Sequence, residues 1–207
     1  GKNYSYQNLN RVSLFFDNNV HANQFMGVGG GGTTFDDLNG NRNDPTKSGF
    51  VGGGVIWARQ PGGGPVRGIA TAPGVPNWGS DWKKGAKDAM RHSFYYEVQG
   101  SCMAYDDAYL DLDPNYKDAF GRPLLRMTFD WHDNEIAASA YLVDKAQEMC
   151  KVLNPLAMKG DAKKPGTHYN INQYQSTHTV GGAIMGDNPK TSALNKYLQS
   201  WDVPNVF

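Results

Sequence analysis

The sequence has no surplus of charge of either sign: Lys plus Arg and Asp plus Glu number 20 each over 207 residues. The long-range field that would draw a chain to nucleic acid or an anionic membrane is missing at the whole-chain level, and no nucleic-acid partner is expected. No apolar run approaches the roughly 20 residues that cross a bilayer as a helix, so no transmembrane segment is expected. Cysteine is scarce. Cys102 and Cys150 fit no zinc or redox spacing and read as two buried thiols or one optional disulfide, which leaves the redox compartment open. The first residues, Gly1-Lys2-Asn3-Tyr4, have no initiator methionine and no basic stretch leading into an apolar one. They read as neither a signal peptide nor an obvious native N-terminus. No internal repeat is visible.

What the chain has instead is glycine, 25 residues of it, with 11 prolines, 11 tyrosines and 5 tryptophans. That mixture implies many turns and irregular loops pinned by aromatic side chains, a composition common in extracytoplasmic carbohydrate-handling proteins. Strands are expected at residues 11–16, at 50–51 with 55–57, at 93–98 and at 124–129, from their β-branched and aromatic content. Residues 27–76 are rich in glycine and asparagine, and Gly62-Gly63-Gly64-Pro65 reads as a turn or loop. A short helix is expected over 81–91 with Ser80 as its cap. Asp111-Leu112-Asp113-Pro114-Asn115 and Gly121-Arg122-Pro123 read as breaks. The clearest helix spans 134–153, where Ile136, Ala140, Val143, Ala146, Cys150 and Leu153 recur on one face, with Asp133 to cap it and Pro155 to stop it. Residues 169–175 alternate as a strand does, and Pro204-Asn205-Val206-Phe207 looks like the start of an apolar strand. The expected fold is α+β, an antiparallel sheet with packed helices.

Several familiar patterns fail on inspection. Gly27-Val28-Gly29-Gly30-Gly31-Gly32 satisfies GxGxxG, but the residues after it make a poor helix and no βαβ unit surrounds it. A glycine-rich loop explains it better. Asp37, Asn39 and Asn41 alternate like the start of a calcium loop, yet Arg42 stands where glycine is required and Ser48 where glutamate is, so turn capping is preferred. Asp130, His132, Asp133 and Glu135 gather at a helix start, where acidic residues favour the positive end of the dipole, and no metal site is assigned. His21, His92 and His168 stand alone and read as solvated or structurally bonded. Trp57, Trp78, Trp82 and Trp131 are candidates to stack on a sugar, with core aromatics the simpler reading.

One segment is different in kind: Ser176-Thr177-His178-Thr179-Val180-Gly181-Gly182-Ala183-Ile184-Met185-Gly186. Two adjacent glycines soon after a histidine let the backbone approach something crowded while an imidazole is aimed at the same place. An ordinary imidazole titrates near pH 6.5, so it can take a proton from a hydroxyl at neutral pH. Taken alone, the segment reads more readily as carrying a structural histidine than a catalytic one.

Continued by Asp187-Asn188-Pro189-Lys190-Thr191-Ser192 and by Trp201-Asp202-Val203-Pro204-Asn205-Val206-Phe207, this segment resembles the C-terminal region of the glucose–methanol–choline oxidoreductases. That family shares a histidine-glycine-methionine-glycine stretch, an aspartate and proline, and a strand running toward the flavin. Gly1-Lys2-Asn3-Tyr4-Ser5-Tyr6-Gln7 is similar to the family's glycine-x-asparagine segment at the start of the substrate domain. Three further segments, Gly100-Ser101-Cys102-Met103-Ala104-Tyr105, Tyr109-Leu110-Asp111-Leu112-Asp113-Pro114 and Gly121-Arg122-Pro123-Leu124, are most like one branch. It comprises the flavoprotein subunits of bacterial membrane-associated sugar, polyol and gluconate dehydrogenases.

The resemblance implies a substrate-binding domain over residues 1–175 and the start of a catalytic, flavin-contacting segment over 176–207. It further implies that the FAD-binding Rossmann part lies before Gly1 and that a second catalytic histidine or asparagine follows Phe207. The implied reaction is FAD-dependent oxidation of a CH–OH group in a sugar, polyol or sugar acid, gluconate among them. His178 would be the general base, Thr177 would help shape the substrate site, and Asn205 and Val206 would lie near the flavin. Electrons would leave through partners, a small subunit and a cytochrome c subunit, or to a quinone. An iron–sulfur cluster and haem would be carried by other segments or partner subunits, and Cys102 and Cys150 are not cluster ligands. The implied location is the periplasm, with membrane association through a partner subunit. The competing reading is a non-catalytic fragment that binds carbohydrate or scaffolds other subunits.

Overall fold

The computed structural model describes residues 1–22, 32–59, 70–172 and 178–207. Most of the GxGxxG pattern, the Gly62-Gly63-Gly64 turn and Thr177 lie outside the described residues. In chain order the elements are β1 (Asn8–Phe15), β2 (Thr34–Phe35), α1 (Pro45–Ser48), β3 (Gly54–Arg59), α2 (Gly79–His92), β4 (Ser93–Gly100), β5 (Tyr109–Lys117), β6 (Pro123–Thr128), α3 (Asp133–Cys150), a 3-10 turn (Lys151–Leu153) and β7 (Ala157–Gly160). This is the expected α+β composition with antiparallel sheets. No helix among the described residues is long and apolar enough to cross a membrane. The chain forms two compact units. One is built from Asn8–Ser101 with Asp133–Pro165, the other from Gly1–Gln7, Cys102–His132 and Gly166–Phe207.

The first unit is a five-stranded antiparallel sheet, order β2-β3-β4-β1-β7, with α3 against it. Alternation along β1 sends Val12 and Leu14 to the helix side, where they meet Ile56, Val98, Ala138, Leu142, Val143, Ala146 and Cys150 in the core. A socket for Leu142 is made by omission. Gly54 and Gly100 are opposite each other across β3 and β4, and Cβ atoms there would stand 2.5 and 3.2 Å from Leu142 Cδ1. The same face of β1 ends in Asn8 and Asn10, both buried. Asn8 Nδ2 donates to Glu135 O at 2.9 Å, while Asn10 Oδ1 accepts from Ser139 Oγ at 2.6 Å and from Lys163 Nζ at 3.0 Å. These bonds satisfy polar groups that would otherwise cost about 1–3 kcal/mol each when buried.

The structure changes several local expectations in this unit. Phe50 and Val51 form a bend, not a strand: Phe50 is 3% exposed in the core, and the Val51 N–H and carbonyl are both held by the Asn134 side chain. Ser80 lies inside α2, whose cap position is Trp78 with no side-chain cap bond. On α3 the buried stripe includes Glu135, Ala138, Ser139 and Leu142, whereas Ala140 is exposed and Leu153 falls beyond the helix and is 41% exposed. Asn154, at φ 50°, closes the 3-10 turn before Pro155.

Among the described residues of the second unit the regular elements are β5 and β6, an antiparallel hairpin with a register irregularity between Leu112 and Lys117. The expected break at 111–115 falls inside β5, where the pairing lapses between Leu112 and Lys117, around Pro114, and resumes at Lys117 opposite Pro123. Arg126 grips Asp111, its cross-strand partner, through Nε at 2.8 Å and through Nη2. Residues 171–172 are turn and residues 204–207 carry no strand. Tyr4, Tyr6, Phe129, Trp131 and Tyr169 fill the unit's interior, with neighbouring ring centroids 5.0–6.1 Å apart.

Candidate active site

The histidine-glycine-glycine segment lies against the chain's own first residues. Ser5 N–H donates to Val180 O at 2.8 Å, Val180 N–H returns to Ser5 O at 3.1 Å, and Gly182 N–H reaches Lys2 O at 3.1 Å. The glycines are required at this approach. Gly181 and Gly182 have φ of 75° and 79°, and a Cβ on Gly181 would fall 1.8 Å from Asn3 O. On its other side the same N-terminal segment is held by Tyr4 N–H, which donates to Ala108 O at 3.0 Å, and by a bridge between Lys2 and Tyr109.

This pairing brings His178 to Gln7. His178 is exposed, Gln7 is 8% exposed, and Nδ1 of the ring is 2.7 Å from Gln7 Oε1. Gln7 follows Tyr6, which is 2% exposed and whose carbonyl accepts from Cys102 Sγ. Burial, reinforced by the neighbouring Tyr6, pushes the Tyr4 phenol up to about 12, so it is a neutral packing group across the physiological range.

Two acid–histidine pairs occur in the same unit. Asp130 Oδ2 is 2.6 Å from His168 Nδ1, and its Oδ1 accepts from Tyr169 N–H and Trp131 N–H, each at 2.8 Å. Burial pushes this carboxyl up, but the bonds from His168, Tyr169 and Trp131 outweigh it and hold it below the ordinary range. His132 stacks on Tyr105 with centroids 3.6 Å apart, and its Nε2 is 3.0 Å from Asp107. The acidic cluster in the sequence is thus used locally, with Asp133 and Glu135 in the first turn of α3. No three His, Cys, Asp or Glu side chains gather as a metal site among the described residues. Asn39 Oδ1 accepts from Asn41 N–H at 3.1 Å and Asp37 pairs with Arg42, as turn capping requires. His92 Nδ1 is bound to Val20 O at 2.7 Å, and of the four tryptophans named as stacking candidates Trp78 is 83% exposed while Trp57, Trp82 and Trp131 are half-buried.

Asn205 and Val206 lie in an exposed turn. Val206 O accepts from Ser200 N–H at 2.9 Å and its own N–H donates to Val203 O at 3.0 Å. The loop carrying them is tied back through Trp201 Nε1, which donates to Ser192 Oγ at 3.0 Å. Thr177 lies outside the described residues, so its position next to His178 is known only along the chain. Gln7 was not singled out from the sequence. It stands 171 positions from His178, and no local pattern marks a glutamine as a histidine's partner.

The described residues form antiparallel sheets and helices, with His178 carried on a segment that pairs through its glycines with the first residues, and comparison with known proteins gives the family. Residues 104–207 match the family model for GMC oxidoreductase, and the chain belongs to that family. It is 49% identical to the gluconate 2-dehydrogenase flavoprotein of Pantoea cypripedii across all 207 residues, which make up 34% of that protein. It is 28% identical to the 2-methyl-1,2-propanediol dehydrogenase of Mycolicibacterium austroafricanum over 163 residues, 78% of this chain and 28% of the relative. A third relative, the fructose dehydrogenase large subunit of Gluconobacter japonicus, is 28% identical over 100 residues, 47% of this chain and 16% of that one. The chain thus spans about a third or less of the length of these relatives.

Proposed function

We propose that this chain is part of an FAD-dependent dehydrogenase that oxidises a CH–OH group of a sugar, polyol or sugar acid, with a gluconate-like acid as the first candidate. The observation that carries the reading is the 49% identity to a gluconate 2-dehydrogenase flavoprotein through every part of the chain. Residues 1–175 are assigned to substrate binding and 176–207 to the catalytic, flavin-contacting segment. Electrons pass to a cytochrome or quinone acceptor in a complex with a small subunit and a cytochrome c subunit, in the periplasm and held to the membrane by a partner. An iron–sulfur cluster and haem belong to that electron path only in segments or subunits other than this chain.

The residues assigned to the cofactor suit a flavin in chemistry. The Asn205 amide offers both donors and an acceptor, and Val206, 49% exposed, offers apolar surface. These match the polar edge and flat apolar face of an isoalloxazine ring. Bound FAD supplies the acceptor for the hydride leaving the substrate carbon. His178 takes the proton of the substrate hydroxyl, so the C–H and O–H bonds break and a carbonyl forms. Thr177, one residue before it, shapes the space for the hydroxyl. A positioned general base contributes about 10²–10⁴-fold to such a step.

The test is the visible spectrum of the purified holoenzyme before and after gluconate, sorbitol, fructose or glucose is added. Bleaching of the flavin band by gluconate supports the assignment, and its loss by about 10²-fold or more in rate in His178→Ala supports the base. A His178→Ala protein that bleaches at the wild-type rate removes His178 from the chemistry. Absence of any flavin, with sugar binding retained, favours the non-catalytic carbohydrate-binding or scaffolding reading.

A further inference from the structure

We propose that Gln7 is a positioning residue for His178, selecting the ring tautomer and orientation in which the imidazole works as a base. The inference rests on the reading of His178 as the general base. Its support is geometric. His178 is exposed, on a segment whose next turn is two glycines at φ 75° and 79°. Gln7 is the opposite case: buried, following a buried tyrosine, and leading directly into β1. The Ser5–Val180 pairing fixes the distance between the two backbones. A rigid buried amide is thereby set 2.7 Å from one nitrogen of an exposed ring.

The chemistry follows from which atom faces the ring. An amide oxygen only accepts, so the contact requires the proton to be on Nδ1. In neutral imidazole that leaves Nε2 as the basic nitrogen, and the hydrogen bond fixes where it is aimed. A neutral acceptor does this without adding the negative charge that a carboxylate would place beside the ring. Glutamine in place of an acid therefore orients the base without favouring its protonated, inactive form. Nothing in the sequence around His178 specifies this, because the partner comes from the opposite end of the chain.

The experiment measures kcat and KM against pH in the holoenzyme, with the substrate that bleaches its flavin. Gln7→Leu is expected to lower kcat about 10–100-fold with KM nearly unchanged, by analogy with the loss seen when the outer hydrogen-bond partner of a metal-bound histidine is removed. Gln7→Glu keeps an acceptor but adds charge. It is expected to reach a kcat within a few-fold of wild type at high pH, with the acid limb of the profile moved upward by about one unit. A Gln7→Leu enzyme with unchanged kcat and profile overturns the proposal. So does a Gln7→Glu enzyme as slow as Gln7→Leu at every pH, since the amide NH2 would then be the group in use. If Gln7→Leu fails to fold, the Gln7→Glu profile alone decides, and an unshifted limb overturns it. His178→Ala separates the two levels: normal turnover there sinks the base assignment, whereas its loss beside an indifferent Gln7→Leu sinks only the positioning role.

Discussion

At Gly181 two constraints coincide, a φ of 75° and the Asn3 carbonyl oxygen standing where a side chain would begin. Either alone would disfavour alanine. Together they predict that Gly181→Ala pushes residues 178–182 away from residues 2–5, weakening the Ser5–Val180 bonds and with them the contact between His178 and Gln7. The expected outcome is a stability loss of about 1–3 kcal/mol in denaturant unfolding, with kcat falling in parallel. A variant with unchanged stability and activity would show that the segment tolerates a different path. The need for small residues after His178 was legible from the sequence. What they pack against was not, since the crowding partner is a backbone carbonyl that any residue type supplies.

The β5–β6 hairpin is held by aspartates that are more acidic than usual. Asp111 is lowered by its hydrogen bonds from Arg126, Asp113 by the N–H groups of Tyr116 and Asn115, and Asp118 chiefly by the Arg122 and Phe120 N–H groups. Each binds its proton less readily folded than unfolded. The stabilisation is complete above the ordinary aspartate value near 3.9 and is lost as the pH falls through the lower folded values. Amide protection across residues 109–128, taken relative to the intrinsic exchange rate at each pH, should therefore fall below about pH 4 before that of the first unit's sheet does. Unchanged protection at pH 3 would mean that the ladder alone holds the hairpin. Reading 111–115 as a break was reasonable from Asp-Pro-Asn, whose preference for turns is real. Cross-strand pairing of Asp111 with Arg126 overrides it, and that partner is invisible to a local pattern. The 134–153 helix was legible because its apolar period is strong, yet its buried face was drawn too narrowly: it also holds Ser139, whose hydroxyl is bonded to Asn10 of β1, and Glu135, whose backbone carbonyl accepts from Asn8.

At the scale of the whole chain, regular structure is unevenly shared. The unit of Asn8–Ser101 and Asp133–Pro165 has a five-stranded sheet and a long helix around Val12, Leu14, Val98 and Leu142, each 0% exposed. The other unit relies on one hairpin, an aromatic interior and turns capped by Asn188 and Asn195. Native-state hydrogen exchange should find the slowest amides in β1, β4 and the middle of α3, and exchange faster by orders of magnitude over residues 184–207. Equal protection in both would contradict the unequal distribution of buried ladder bonds. Cys150 belongs to the slow set, with burial pushing its thiol up to about 11.

The sequence by itself determined the elements that depend on neighbours a few residues away: the strand character of 11–15 within β1, the body of the α3 helix, and the histidine followed by paired glycines. Family membership was legible too, because motif residues keep their order along the chain. Tertiary structure alone decided the rest. It chose which residues share a unit, dividing the chain by packing into interleaved segments where a linear reading divides it by role at 175/176. It turned Phe50 and Val51 into a core anchor, carried β5 past a lapse in its pairing, and set Gln7 beside His178. Those outcomes rest on contacts between residues tens to hundreds of positions apart. Burial and hydrogen bonding at such separations depend on the closed chain, and no periodicity or local propensity encodes them.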